Sequence, residues 1–254
     1  MRVIARLRLA AVAAAAVLVN DLAQAEPVIG FVRDTATQRY LYTEVHEFRK
    51  GSDGRVQTAL TRYFDPQGRE IGRKTLDYRS NRYVPLYRLD LPAQRYAEGV
   101  SNNVGAVVVF KRDGEREETE TLPADPGLEA ADSGFNHLLL DQLPRLLQGE
   151  TVNFQLIAAG NTDRYRFRAQ KAAELTVNQT PAVRLRVEPD SVLRWLVDPI
   201  DIVYDKQGTR LMSYRGVSNI LDAQTGKVHK RVDITYGGPV PAEARWPQRP
   251  PTAP

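Results

Sequence analysis

The chain has 254 residues, a formal net charge of +4 and no cysteine, which excludes disulfides, thiol catalysis and thiolate metal sites. Hydrophobic residues make up 42% and charged residues 26% of the chain, as in an ordinary globular protein with a sizeable core. The nearly balanced charge does not favour a nucleic-acid partner.

The first 25 residues have the composition of a secretory signal peptide. A basic start, an apolar run and a small-residue cleavage site follow one another as Arg2/Arg6/Arg8, 9–19 and Ala23-Gln24-Ala25. The apolar run has 11 residues, whereas a membrane span needs roughly 20. We therefore expect cleavage near Ala25 and a periplasmic location. Removing three arginines and one aspartate with this segment reduces the net charge of +4 to +2.

Beyond residue 39, short stretches of alternating side chains are separated by turns, a pattern typical of antiparallel strands. Asp65-Pro66-Gln67-Gly68 has turn chemistry, and Asp113-Gly114 is a strong signal for a two-residue hairpin. The predicted strands are 40–48, 56–64, 73–78, 83–89, 106–111, 115–122, 151–158, 164–169, 172–177, 182–188, 200–204, 210–214, 217–221 and 228–236.

One segment breaks the strand pattern and predicts a helix over residues 135–148. Its leucines recur at helical spacing and form one apolar stripe: Leu139, Leu140, Leu143, Leu146 and Leu147. Asp132 or Ser133 is a suitable N-cap, and Gly149 is a suitable stop. Pro144 is expected to kink this helix or to divide it into two pieces. Residues 191–196 fit a helical turn or a strand equally well.

These elements predict a mainly β protein. The expected fold is a strongly curved antiparallel sheet, a half-barrel or open barrel meander, that wraps around one embedded leucine-rich helix. We expect a single domain over residues 26–236. The segment 237–254 is dense in proline and is expected to be an extended, largely disordered tail.

The order of leader, β meander and mid-chain leucine-rich helix resembles the half-barrel of periplasmic lipoprotein carriers and related uncharacterised exported proteins of Gram-negative bacteria. Shared features include Leu196-Val197-Asp198-Pro199, which leads into Tyr204-Asp205 and Tyr214-Arg215-Gly216. The resemblance is architectural and covers about residues 39–236. It implies an apolar cavity that holds acyl chains and implies no catalytic positions.

The sequence contains no local motif for a metal, a phosphate or a nucleophile. Its histidines, His46, His137 and His229, are far apart, so no pair has metal-ligand spacing. His46 shares a strand face with Glu44 and Phe48, and the expected position is a solvated or core strand site. His137 falls in the first turn of the helix, where the dipole disfavours a cation, so we expect it to be neutral.

Acidic residues follow the Asp113-Gly114 turn as Glu115, Glu117, Glu118 and Glu120. A pair of carboxylates on one strand face could hydrolyse a glycoside or bind a divalent cation. The more ordinary interpretation is a charged edge strand that resists pairing with other sheets.

Three functions stay open. The favoured one is a periplasmic, non-enzymatic carrier of a lipid or another apolar ligand. Its predicted cavity is lined by Leu140, Leu143, Leu147, Trp195 and Tyr214. The alternatives are an assembly or scaffold factor that binds another envelope protein, and a hydrolase that uses Glu115 and Glu117 or the face of His46. We expect no cofactor, no metal, no nucleic-acid partner and no membrane span in the mature chain.

Overall fold

The computed structural model describes residues 26–190, 198–223 and 225–247, and within these ranges the chain forms fifteen strands, one α-helix and two 3₁₀ turns. The first eight strands are β1 (Val28–Asp34), β2 (Tyr40–Lys50), β3 (Val56–Phe64), β4 (Glu70–Asp77), β5 (Leu86–Leu91), β6 (Tyr96–Asn102), β7 (Val107–Asp113) and β8 (Arg116–Leu122). The remaining elements are β9 (Glu129–Ala131), α1 (Gly134–Leu147), β10 (Val152–Ala158), β11 (Asp163–Val177), β12 (Thr180–Pro189), β13 (Ile200–Asp205), β14 (Leu211–Gly216) and β15 (Val232–Tyr236). The 3₁₀ turns are Pro92–Gln94 and Ala159–Asn161.

All strands belong to one sheet of order β8-β7-β6-β5-β4-β3-β2-β1-β15-β14-β13-β12-β11-β10-β9. Neighbours in the chain are mostly neighbours in the sheet, and β1 pairs with β15, which joins the two halves of the meander. The pairing is antiparallel except between β9 and β10, which run parallel. Short hairpin connections produce this order. In the hairpin between β7 and β8, Asp113 pairs with Arg116, so the two loop residues are Gly114 and Glu115, and Gly114 has a φ of 63°.

The sheet curls until its two ends meet. Val109 of β7 and Leu122 of β8 share an apolar cluster with Ile157 of β10 and with Ala159 in the second 3₁₀ turn. In the described chain no ladder of hydrogen bonds joins the terminal strands β8 and β9. The prediction of a mainly β fold with a strongly curved, open antiparallel sheet and one helix is therefore confirmed.

The helix forms where the leucine pattern predicts it, one residue earlier. Leu138, Leu139 and Leu146 are fully buried, so the apolar stripe faces the sheet. Pro144 does not divide the helix, which is continuous from Gly134 to Leu147. The helix ends at Gly149, which has a φ of 88° and donates from its amide to Leu146.

Several strand predictions are corrected by the structure. Strands β1, β6 and β9 were not predicted, and 217–221 forms a loop with a single bridge from Leu221 to Val228. The two predicted strands 164–169 and 172–177 are one strand, β11, with a register shift between Lys171 and Ala173. The bulge explains why the sequence predicts two strands here, because an extra residue interrupts the two-residue alternation. Residues 191–196 lie outside the described residues.

The segment after β15 differs from the disorder expected for residues 237–254. Ala244 is 6% exposed, and the ring of Trp246 lies 5.8 Å from that of Phe31 on the outer face of β1. Glu243 forms an ion pair of 3.2 Å with Arg33. These contacts hold the described part of the segment, up to residue 247, against the sheet, because the ring of Trp246 packs on the buried ring of Phe31.

Candidate functional site

The structure brings four of the five predicted cavity residues together. Leu143 is buried, while Leu140, Leu147 and Tyr214 are partly buried in the same apolar cluster. Trp195 lies outside the described residues. The lining of a ligand cavity by these side chains stays a prediction.

This apolar group around α1, here called the helix cluster, joins the helix to the inward faces of β9–β13. Its buried members are Ala130, Phe135, Leu138, Leu139, Leu143, Leu146, Val152, Phe154, Ala169, Val183, Leu185, Val187, Ile202 and Tyr204. Polar contacts at its margin orient the helix: Tyr204 donates to Asn136 over 2.7 Å, and Lys171 donates to the Leu147 carbonyl over 2.8 Å.

The opposite half of the molecule buries charged side chains instead. Cross-strand pairing places His46 of β2 beside Thr61 of β3, and Thr61 beside Lys74 of β4. The same row continues through Leu89 of β5 to Glu98 of β6. Because directly paired residues share a sheet face, these side chains all point inward.

We call this row, with the groups that contact it, the polar layer. Its members are Glu44, His46, Thr61, Lys74, Glu98, Asp132 and Asn219. Two apolar clusters flank the layer: Leu76 and Val100 belong to one, and Leu91 and Ile234 to the other. The layer is thus enclosed by hydrophobic side chains, where an unpaired polar group is costly.

An ion pair between Lys74 and Asp132 lies at the centre of the layer. Their Nζ and Oδ1 atoms are 2.5 Å apart, and the side chains are only 7% and 4% exposed. Burial disfavours the charged form of both groups. The attraction and hydrogen bond between them outweigh this effect, so the pKa of Asp132 is lowered and that of Lys74 is raised. Asp132 has a φ of 44°, an uncommon conformation for a side chain other than glycine.

Asn219 links this ion pair to a second carboxyl group. Its amide donates to Asp132 over 3.1 Å and to Glu98 over 3.3 Å. Tyr96 donates to the other oxygen of Glu98 over 2.5 Å. Burial raises the pKa of Glu98, and its two hydrogen bonds only partly oppose this shift.

His46 connects a third carboxyl group to a hydroxyl group. Its Nε2 lies 2.9 Å from Glu44, and its Nδ1 lies 3.0 Å from the hydroxyl of Thr61. Tyr236 also donates to Glu44, over 2.6 Å. Burial raises the pKa of Glu44, but His46 and the hydrogen bond from Tyr236 outweigh it, so the pKa is lowered. Gly30 makes room for this contact, because a Cβ there would lie 2.7 Å from Glu44.

Two buried tyrosines enter the polar layer from its two sides. Tyr63 is paired with Glu44 across β2 and β3, and Tyr87 lies on β5 two residues before Leu89. They are 3% and 5% exposed. Burial raises the pKa of both, and the charge of Glu98 contributes to each shift.

The other predicted sites are structurally ordinary. Glu117 and Glu120 are exposed on β8, which is a terminal strand, so the edge-strand interpretation is confirmed. Glu115 pairs with Arg95. Burial and the nearby Arg82 lower the pKa of His137 to about 4, which favours the neutral form at pH 7.

Among the residues that the structure describes, no three His, Asp or Glu side chains are placed to hold a metal ion. A search of the same residues finds no helix that is long and apolar enough to cross a membrane.

Sequence reasoning missed the polar layer because it assigned alternating charges to a solvated face. A signal was present: Lys74 shares its strand face with Gly72 and Leu76, and Glu98 shares its face with Tyr96 and Val100. In both strands the residues two positions before and two positions after the charged residue are apolar or small, which indicates that the charged side chain is buried.

Comparison with known proteins supports the architecture. No family model matches the chain, and no curated protein sequence matches it. The chain is similar to a solved structure, the crystal structure of a beta-barrel-like protein of a domain of unknown function, DUF1849, from Brucella abortus. The TM-score is 0.51 at 9% identity, and the match covers 83% of this chain and 94% of that chain. This similarity shows the fold alone.

Proposed function

We propose that the chain is a periplasmic, non-enzymatic binding or carrier protein for a lipid or another apolar ligand. The observation that carries this proposal is the attachment of α1. Leu140 and Leu147 are only partly buried, and no hydrogen bond between two backbone groups joins the described helix to a strand. A helix attached by side chains alone can move without disrupting the ladders of the sheet, which opens the apolar faces of β10–β13 to a ligand.

The energetics favour an acyl chain in that position. Moving the helix exposes leucine side chains, each of which gains about 1.5–3 kcal/mol from burial. A bound acyl chain restores this apolar contact, because each methylene that leaves water contributes about 0.8 kcal/mol. A chain of about a dozen carbons therefore offsets the displacement of several leucines.

Tryptophan fluorescence tests the proposal. The chain has two tryptophans, and Trp246 contacts Phe31 on the outer face. In Trp246→Phe, emission therefore comes from Trp195 alone, which is predicted to line the cavity. We expect saturable changes in emission with dodecanoate, a lysophospholipid or a hydrophobic dye. Trp195→Phe is the matched control and should respond little. Unchanged emission and no binding by calorimetry with all three ligands would refute the proposal.

A series of hydrogen bonds links Thr61, His46 and Glu44, and it favours hydrolysis as a second candidate function. A hydroxyl, an imidazole and a carboxylate linked at 3.0 and 2.9 Å is the arrangement that activates a nucleophile. Thr61 is 1% exposed, so a substrate would have to enter the interior. A panel of ester substrates tests this candidate: turnover that disappears in Thr61→Val would support it, and no turnover by the unaltered protein would dismiss it.

A further inference from the structure

An apolar patch lies on the outer face of β1 and β2. Cross-strand pairing places Phe31 of β1 beside Thr43 of β2, so the two side chains share one face of the sheet. The neighbouring Tyr42 belongs to an interior cluster, which puts Phe31 and Thr43 on the opposite side. The hydroxyl of Tyr40 lies 2.7 Å from that of Thr43, and Ile29 packs against the cluster of Phe31 and Tyr40. We call Ile29, Phe31, Tyr40 and Thr43 the outer patch.

Residues 237–247, here called the strap, cover the outer patch. Ala244 and Trp246 belong to the same apolar cluster as Phe31 and Tyr40. Phe31 and Tyr40 are 4% and 6% exposed, so the strap shields two aromatic rings from water. When the strap leaves, the outer patch becomes the kind of apolar surface that binds other proteins.

The strap is attached by interactions that are individually weak. Pro239 and Pro241 have no N–H group to pair with a strand. No hydrogen bond between two backbone groups joins the described strap to the sheet, and the amide of Ala244 donates within the strap, to Pro241. The ion pair of Glu243 with Arg33 is 48% and 31% exposed, and exposed pairs contribute little stability. The strap can therefore leave without breaking a ladder of the sheet.

A flexible connection and an unfilled space accompany the strap. Gly237 has a φ of 66°, and a Cβ on Gly237 or on Gly238 would meet nothing within 4 Å. Two adjacent glycines without packing partners form a flexible hinge. Farther along, the strap and Gly68 in the turn between β3 and β4 line a pocket of about 480 Å³. The strap is thus loosely packed at this turn, where contacts that would hold it are missing.

We propose that the outer patch is a docking site for an extended, proline-containing segment of another protein, and that the strap occupies this site as a tethered ligand. The strap shows the chemistry that fits: a tryptophan packs on Phe31, and a carboxylate three residues earlier pairs with Arg33. Proline-rich segments of partner proteins dock on aromatic surfaces in the same way. The proposal concerns the outer face of the sheet, so it is independent of the carrier function.

The tether sets the balance between the strap and a partner. A short flexible linker gives the strap an effective concentration of roughly millimolar at the outer patch. Because the strap is docked at that concentration, the same segment without the tether should bind the empty patch with a Kd below about 1 mM. A partner segment competes well only when the strap is weakened or when the partner makes additional contacts.

A labelled peptide with the sequence of residues 239–247 tests the site by fluorescence anisotropy. Trp246→Ala in the full chain removes the anchor of the strap. We expect the peptide to bind this variant about tenfold more tightly than it binds the unaltered protein, because the tethered competitor is weakened. Tyr165→Ala, which removes an exposed aromatic side chain elsewhere, is the matched control and should leave the affinity of the unaltered protein unchanged.

Changes in the peptide define the chemistry without altering the fold of the protein. Peptides with Glu243→Lys or Trp246→Ala should bind the Trp246→Ala protein at least about fivefold more weakly, because each loses one of the two contacts. A peptide in which Val240, Ala242 and Arg245 are all serine keeps the prolines and both contacts. It should bind within about twofold of the original, which shows that another protein can supply the segment.

Each contrary result overturns a stated part of the proposal. No binding of the peptide to the Trp246→Ala protein at millimolar concentration would overturn the docking site, and equal binding to the variant and the unaltered protein would overturn its occupation by the strap. Loss of binding by the serine-containing peptide would restrict the patch to the chain's own strap. A dimer of the unaltered protein in sedimentation, converted to a monomer by Trp246→Ala, would assign the patch to a second copy and overturn the partner.

Discussion

The two halves of the sheet have interiors of different chemistry. Around α1, leucines, phenylalanines and valines pack against one another, while between β2 and β6 the interior contains the ion pair of Lys74 with Asp132, a hydrogen bond between His46 and Glu44, and a third carboxyl group. Apolar packing is non-directional and tolerates rearrangement, whereas a buried polar network is sensitive to the loss of any single partner. The carrier proposal therefore requires the helix side, and not the polar layer, to open for a ligand.

The largest effect should come from breaking the central ion pair. Lys74→Met leaves Asp132 buried without a cation, which should lower the free energy of unfolding by about 3–5 kcal/mol. Urea denaturation measures this loss. Adding Asp132→Asn to Lys74→Met should recover part of the lost stability. Arg79→Met is the surface control: it removes an exposed ion pair with Asp77 and should cost less than about 1 kcal/mol. Equal effects of Lys74→Met and Arg79→Met would contradict the difference between interior and surface.

A paired substitution in α1 tests the helix side. Leu139 is 0% exposed, so Leu139→Ala should cost about 2–5 kcal/mol through the cavity it creates. Leu140 is partly buried, and Leu140→Ala should cost less stability but weaken dodecanoate binding more. Thermal denaturation and calorimetry give both quantities. The reverse order of effects would remove Leu140 from the ligand site.

A single methyl group tests the contact of Glu44 with Tyr236. In Gly30→Ala the added Cβ lies 2.7 Å from Glu44 and 2.8 Å from the Tyr236 ring. Both side chains must shift, which should cost about 1–3 kcal/mol in unfolding free energy. Gly54→Ser is a useful comparison, since a Cβ there meets nothing within 4 Å, although its φ of 75° retains backbone strain. A smaller loss in Gly30→Ala than at Gly54 would argue against a tight contact.

The pH dependence of stability distinguishes Glu98 from the carboxyl groups of Asp132 and Glu44. Burial raises the pKa of Glu98 above its ordinary value, so the folded state binds this proton more tightly, and ionisation of Glu98 costs stability as the pH rises from its unfolded pKa. The pKa values of Asp132 and Glu44 are lowered, so their contribution is lost as the pH falls. The stability of Glu98→Gln relative to the unaltered protein should therefore increase between pH 4 and pH 7. A constant difference in urea denaturation over this range would contradict the shift.

The sequence predicted the positions of the strands and the helix better than it predicted which strands pair. Alternation and turn residues indicated most strands, and the leucine spacing located α1 to within one residue. Strand β6 was missed because Ala97 and Gly99 are small residues that weaken the β pattern around Glu98. The order of the sheet could not be derived, since the closure of β1 onto β15 depends on contacts between residues far apart in the chain.

The candidate site shows the same limit. Leu143 and Tyr214 could be placed together because apolar stripes imply a common core. Lys74 and Asp132 are 58 residues apart, and no local pattern joins them. Their meeting follows from the curvature of the sheet, which brings the loop before α1 onto the face of β4.

Native mass spectrometry tests the carrier function most directly. Residues 26–254 are exported to the periplasm of a bacterial host and purified without detergent. We predict an additional mass on the folded protein that extracts into organic solvent and matches a lipid. A single mass equal to that of the bare chain, unchanged after incubation with lipids, would contradict the proposal.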